Sequence, residues 1–262
     1  MKTTLVVLSC ALLPHAAFAE PVLPNFGSAV FVPGAPVNHT YFPLIDPGTR
    51  VFVGGNERFE LTNLGTGPTI MGVTTTTQRD RAFENGRLIE DTFDYYAQDT
   101  RGNVWYMGED VTEFIYDANG RLINTTHESA WRAGVHNAKP GFIMPADPTV
   151  GFSYFQEFSP VDEAIDQAKI FARGLTVSAR IATYMNVLKI LETNPLEPNA
   201  PEFKFYAPGV GLIRAQEGLS RDLKHADLTF QQAGPVPEPA TLTLLALGLG
   251  VATAARRRRH VS

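Results

Sequence analysis

Residues 70–98 read IMGVTTTTQRDRAFENGRLIEDTFDYYAQ, and this stretch decides the fold. Ile70–Phe83 is rich in threonine and valine, whose branched side chains suit a pleated sheet. Glu84-Asn85-Gly86 follows, and Asn-Gly tolerates the positive φ angles of a tight type I′ hairpin turn. Arg87–Gln98 then returns, with Leu88, Phe93, Tyr95 and Tyr96 as packing residues. The chain repeats the move twice. Asp99-Thr100-Arg101-Gly102-Asn103 turns it into Val104–Met107 and Val111–Tyr116, and Asp117-Ala118-Asn119-Gly120 turns it into Arg121–Trp131. Successive hairpins of long strands predict an antiparallel meander.

Outward from this centre the pattern continues with less regularity. Upstream, Arg50–Val53 and Arg58–Asn63 read as strands around a Gly54-Gly55-Asn56 turn, and Tyr41-Phe42-Pro43-Leu44 opens the domain. Residues 20–40, rich in proline and glycine, read as an extended arm with an edge strand near Ala29–Val32. Downstream, Trp131–Val150 reads as loop and Gly151–Phe158 as strand. Ser159-Pro160-Val161-Asp162 carries a helix-start pattern for a short helix to about Gln167, although an irregular strand also fits. Lys169–Ala172 and Leu175–Leu191 read as strands, and Glu202–Ala207 with Val210–Gln216 as a final hairpin around Pro208-Gly209. The expected organisation is one antiparallel β domain over 41–217, a curved sheet or partial barrel, followed by a polar spacer over 218–235.

Both ends of the chain carry export signals. Lys2, an apolar run from Leu5 to Leu13, and Ala17-Phe18-Ala19 form the positive start, apolar centre and small-residue cleavage site of a secretory signal over 1–19. Val7-Leu8-Ser9-Cys10 also resembles a lipobox, but only about five apolar residues precede Cys10, fewer than the ~7–15 that a signal core needs. Cleavage after Ala19 removes the sole cysteine and with it any disulfide or thiol chemistry. At the other end, Pro237-Glu238-Pro239 precedes the uncharged run Ala240–Ala255 and then Arg256, Arg257, Arg258 and Arg259. As a helix the run spans roughly 24 Å, somewhat short of the ~30 Å hydrocarbon layer, a gap that arginine stems reaching back to the interface can cover. The four arginines place the C-terminus in the cytoplasm.

These three ordered features over 236–259 resemble the PEP-CTERM sorting tail of exported bacterial proteins. The resemblance implies an exosortase as partner, which reads the Pro-Glu-Pro handle and cuts nearby. It also implies a single transmembrane helix over 240–255 as a transient anchor in the inner membrane, then release to the cell surface or extracellular space. It links such chains to Gram-negative bacteria that make exopolysaccharide. A second resemblance covers roughly Tyr41–Gln216. It rests on the run Asp91–Asp99, on Gly102–Tyr106, on Gly108-Glu109-Asp110 and on Tyr206–Ile213. These residues are similar to a widespread group of uncharacterised exported bacterial proteins, a likeness that brings no activity.

Charge narrows the function further. Setting aside Lys2 and the four tail arginines leaves 17 basic residues against 27 acidic ones, a net charge of −10. A surface this acidic excludes nucleic acid as a general partner, because phosphate backbones require a basic footprint.

Candidate chemistry is sparse. Glu90, Asp91, Asp94, Asp99, Glu109, Asp110 and Glu113 could converge from adjacent strands for acid–base hydrolysis or offer oxygen ligands to a cation, but several sit at turns and none has EF-hand spacing. His39, His127, His136 and His225 lack metal-ligand spacing, although His127 and His136 flank Trp131. No Gly-x-Ser-x-Gly elbow, phosphate-cradling loop or dinucleotide fingerprint occurs. Neither an enzymatic activity nor a cofactor or metal is therefore expected. The aromatics Tyr95, Tyr96, Trp105, Tyr106 and Trp131 are the ligand-binding candidates. Alternation along a strand sends one ring of each adjacent pair to each face, so one ring can line a concave surface for a lipid or glycan such as an exopolysaccharide. The reading that results is an exported cell-surface or matrix protein, with a binding module as the alternative and a hydrolase third.

Overall fold

The computed structural model describes residues 20–217 and 229–235. Within them the regular structure is almost entirely strand. The elements are β1 (Asn38–His39), β2 (Phe42–Pro43), β3 (Gly48–Gly54), β4 (Glu57–Ile70), β5 (Val73–Glu84), β6 (Arg87–Gln98) and β7 (Val104–Tyr116). They continue with β8 (Leu122–Thr126), β9 (Trp131–Arg132), β10 (Lys139–Met144), β11 (Ser153–Phe155) and β12 (Glu157–Phe158). The last are β13 (Gln167–Ser178), β14 (Thr183–Thr193), β15 (Glu202–Ala207), β16 (Gly211–Glu217) and β17 (Thr229–Pro235). A 3-10 turn at Phe26–Ser28 is the helical element among the described residues, where no helix is long and apolar enough to cross a membrane. The signal over 1–19 and the expected transmembrane helix over 240–255 lie outside the described residues.

Apart from the β1–β2 pair, the strands form one antiparallel sheet in the order β11-β13-β14-β15-β16-β17-β3-β4-β5-β6-β7-β10-β12, with β8 and β9 also on β7. The curvature is large. β11 and β12, at opposite ends of this order, are separated in the chain by Gln156 alone. Phe42 of β2 sits inside the curve against Tyr96 of β6 and Tyr206 of β15, with ring centres 5.0 and 6.3 Å away, and so links opposite walls. Arg50 of β3 reaches Val210 and Leu212 on the far side of β17, donating to their carbonyls at 2.8 and 3.3 Å. Concave-face side chains, including Phe52, Leu188, Ile190 and Tyr154, form much of the main core, and the arm packs Phe26 and Phe31 over Trp105 on the other face. Burying a side chain of this size contributes about 1.5–3 kcal/mol, so this core outweighs any surface pairing.

The central meander forms as expected, and Asn85 and Gly86 take the left-handed turn at φ 51° and 80°. Several local expectations are corrected. Ile70–Phe83 is not one strand: Met71 (φ 49°) and Gly72 (φ 80°) turn the chain back. β4 meanwhile runs on past its expected end at Asn63, through Gly65, Gly67 and Pro68, by means of two bulges. Gly67 is required there, because a Cβ would collide with the hydroxyls of Thr75 and Thr77. The supposed loop 131–150 contains β9 and β10, both paired with β7. Gly108 permits the approach of β9, since a Cβ there would meet the backbone of Trp131 and Arg132, and Gly141 lets the β11–β12 junction lie against β10, since a Cβ would meet the backbone of Phe155 and Gln156. No helix forms after Ser159. Instead Ser159 and Ala164 exchange backbone hydrogen bonds at 2.6 and 3.0 Å, and Glu163 (φ 58°) turns left-handed.

The run Leu175–Leu191 is likewise two strands, closed at Ala179–Ala182 by a turn without glycine or proline. Finally, part of the segment read as a polar spacer is β17. It pairs Arg214↔Gln231 on one side and Val53↔Gln231 on the other, filling the place between β16 and β3. Phe31 of the arm makes only an isolated bridge to Asp99 rather than an edge strand.

Candidate functional site

Antiparallel register brings a polar cluster to the concave face. On β5, β6 and β7, alternate residues Asp80, Asp94, Tyr96, Tyr106 and Glu109 point inward, with Tyr96 opposite Tyr106 and Asp94 opposite Glu109. A bulge after Tyr95, marked by Gly108 at φ 142°, puts Tyr106 and Glu109 on one face although they are three residues apart. The Tyr106 hydroxyl lies 2.6 Å from Asp94 Oδ1 and 2.8 Å from Glu109 Oε2. Tyr96 stacks on Tyr106 at 5.0 Å, and Tyr106 meets Trp131 edge-on at 5.4 Å.

The opposite wall supplies the charges that face this row. Lys204 of β15 binds Glu192 of β14 at 2.6 Å and Glu202 at 3.5 Å. Gln156, at the junction of the sheet ends, donates to the other oxygen of Glu192 at 3.0 Å. Burial disfavours the Lys204 ammonium, but Glu192 and Glu202 outweigh it and raise its pKa well above the usual value. Burial raises the Glu202 carboxyl against the pull of Lys204. Asp80 is raised well above 3.8, first by burial and then by Asp94 and Glu90. Burial also raises the phenols of Tyr96, Tyr106, Tyr154 and Tyr206. The concave face is thus a tyrosine-rich, proton-holding interior filled by its own side chains.

The acidic residues singled out from sequence divide between faces and turns. Asp94 and Glu109 meet at Tyr106. Asp91 instead pairs on the convex face with Arg79 at 2.6 Å, and Asp110 pairs with Arg132 at 2.8 Å. Asp99 caps its turn, accepting from the backbone N–H groups of Arg101 and Asn103 and from Trp105 Nε1. Glu113 accepts from the Ser129 hydroxyl, and Glu90 from that of Thr92. Among the described residues no group of three or more His, Cys, Asp or Glu side chains is placed to hold a metal ion.

All five candidate aromatics are buried. Alternation holds, with Tyr96 and Tyr106 inward and Tyr95 and Trp105 on the other face, yet no pair leaves an open ring. Tyr95 donates to Asp110 at 2.6 Å, and burial with this bond pushes its phenol up to about 12. Trp105 is enclosed by Phe26 and Phe142, at 5.2 and 4.6 Å. Trp131, Arg132, Asp110, His136 and Asp162 border an open, shallow cleft of about 280 Å³. There His136 Nδ1 contacts Asp162 at 3.0 Å, and Asp162 accepts from the Ser159 hydroxyl. Because the aspartate lies between serine and histidine, this trio is not in the order that activates a serine nucleophile. His39 is buried and its pKa is lowered by that burial, with its Nδ1 accepting from the Tyr41 N–H. His127 donates from Nδ1 to the Val111 carbonyl at 2.6 Å. His225 lies outside the described residues.

Sequence reasoning missed Asp80, Tyr154, Glu192, Glu202, Lys204 and Tyr206. The alternation Glu202-Phe203-Lys204-Phe205-Tyr206 was a signal for two of them, because it separates charged from apolar residues strand-wise.

Residues 235–259 match the PEP-CTERM protein-sorting motif. They include Pro237, Glu238, Pro239 and Arg256 to Arg259, which lie outside the described residues. No curated protein matches the chain. Among solved structures, the chain is similar to a Bacteroides fragilis protein described as exported and of YMCC-like fold. The two share 10% identity over 78% of this chain and 97% of that one, at a TM-score of 0.33.

Proposed function

We propose that this chain is a cell-surface or extracellular-matrix component, delivered there by an exosortase that processes its C-terminal tail. The observation that carries this reading is the sorting motif at 235–259, which supports exosortase-dependent sorting of an exported protein. Its placement adds to the argument. The motif begins at Pro235, the last residue of β17, so the handle follows directly on a strand held between β16 and β3. Processing beyond β17 leaves the sheet whole. The self-filled concave face favours a structural role over an apolar cavity for lipid, because a lipid chain gains nothing from buried carboxylates.

Intact mass of the protein recovered from its own host tests this. A mass ending near Pro237–Pro239 in the parent strain, with the tail retained in a strain lacking its exosortase, is the expected result. Equal masses in the two strains would retire the proposal.

A further inference from the structure

Opposite the polar interior, the convex face carries a second pattern. On β14 to β16, Lys189 Nζ lies 3.5 Å from the ring centre of Phe203, 4.9 Å from Phe171 and 5.2 Å from Phe205. Arg214 lies 5.1 Å from Phe205 and close enough to Lys189 for the two cations to repel. Among the described residues neither has a carboxylate at ion-pair distance. Arg214 Nε is buried without a hydrogen-bond partner there. Burial, and then Arg214, lowers the Lys189 pKa, the mark of an ammonium held without a counter-ion.

Around the same face, past β17 and β3, further cations lie on rings. Arg58 is 3.8 Å from Phe83, Arg79 is 5.3 Å from Phe93, and Arg132 is 5.4 Å from Tyr95. Arg81 shares Phe83 with Arg58 and also shares its one carboxylate, Glu60. Each of these four side chains is between 33 and 40% exposed, so one edge stays open while the ring fixes the plane. The row thus sets six cations against Glu60, Asp91 and Asp110, in a chain whose net charge apart from Lys2 and the four tail arginines is −10. Cations concentrated on one face of an acidic protein, with the least compensated pair set in a ring cluster, form a locally complementary surface for an anion.

We propose that this convex girdle is a binding surface for an acidic, carboxylate-bearing polysaccharide, with Lys189 and Arg214 as its centre. Guanidinium and ammonium groups pair with sugar carboxylates, and the exposed Phe171 ring, 4.9 Å from Lys189 Nζ, takes the C–H face of a sugar ring. Shape selects the partner. The girdle crosses the strands around a curved surface, so a narrow flexible polymer can follow it while the acidic remainder stays in solvent. A flat anionic bilayer touches such a surface at one tangent only, and a nucleic acid meets the repulsion of the whole domain. The proposal goes beyond sorting and fails independently of it, since its readout is binding by the purified protein rather than tail mass.

The test uses the exported protein purified from its host and immobilised polygalacturonate as probe. Binding at low salt, loss at high salt and no retention on the fully methyl-esterified polymer are expected. Lys189→Gln with Arg214→Gln weakens binding about tenfold or more at unchanged melting temperature, whereas Lys189→Arg retains it. Arg101→Gln, in the exposed turn between β6 and β7 and outside the girdle, changes nothing. Arg58→Gln, expected to weaken binding by a smaller factor, keeps the test open if the double variant does not fold. Failure of the parent protein to bind polygalacturonate overturns the proposal, as does equal retention on the ester. Preferential binding to single-stranded DNA or phosphatidylglycerol vesicles overturns it in favour of a generic polyanion or membrane contact.

Discussion

Tyr106 and Asp94, on adjacent strands, are joined by a 2.6 Å hydrogen bond inside the concave face, with Glu109 Oε2 2.8 Å from the same hydroxyl. One hydroxyl proton serves one acceptor at a time, so the phenol donates to one of the two carboxylates while the other lies within reach of the same oxygen. Tyr106→Phe removes that donor from a buried cluster and is expected to cost about 2–3 kcal/mol. Denaturant unfolding of the two proteins checks this; a loss below about 0.5 kcal/mol would show that the hydroxyl is replaceable.

Lys204 is the cation of the opposite wall, bound to Glu192 at 2.6 Å. Removing one partner of this half-buried pair strands the other charge, so Lys204→Met is expected to cost about 1.5–3 kcal/mol. Adding Glu192→Leu to that variant recovers a large part of the loss. A double-mutant cycle measures the difference, and purely additive effects would contradict the coupling.

Asp80 gives the interior a pH dependence. Its folded pKa is raised above 3.8 by burial, then by Asp94 and Glu90. The folded state therefore binds its proton more tightly than the unfolded chain does. That contribution is fully present below the unfolded value and is lost as pH rises through the folded one. Asp80→Asn, which cannot ionise, should gain stability relative to the parent protein between pH near 4 and pH near 8. An equal difference at both ends would mean that Asp80 does not titrate differently on folding.

β17 closes the sheet between β16 and β3, and its register shifts between Gln232 and Gly234. A chain ended after Pro235 is expected to stay monomeric. One ended after Glu217 leaves two unpaired edges and should melt lower and self-associate, as exposed edges do. Light scattering after size separation distinguishes these outcomes, and monodisperse behaviour of the shorter chain would show that β17 is dispensable.

The sequence by itself determined the class of the fold and the fate of the chain. Asn85-Gly86 and Asn119-Gly120 are local turn chemistry, and threonine-rich runs between them have few alternatives to a strand. Pro237-Glu238-Pro239, the apolar run and four arginines are read by a sorting enzyme as a linear signal, so no fold is needed to recognise them. What only tertiary structure decided depends on partners distant in the chain. Gly67 and Gly141 look like breakers in sequence, yet they sit in strands because threonine hydroxyls at Gly67 and a neighbouring backbone at Gly141 occupy the place of a Cβ, and bulges carry β4 past Pro68. The turn at Ala179–Ala182 and the strand Thr229–Pro235 carry weak local signals and form because neighbouring edges need pairing. The same holds for the interior. Asp80 and Lys204 are ordinary charged residues until curvature turns them inward, where loss of water raises the Asp80 carboxyl and ties Lys204 to Glu192 and Glu202.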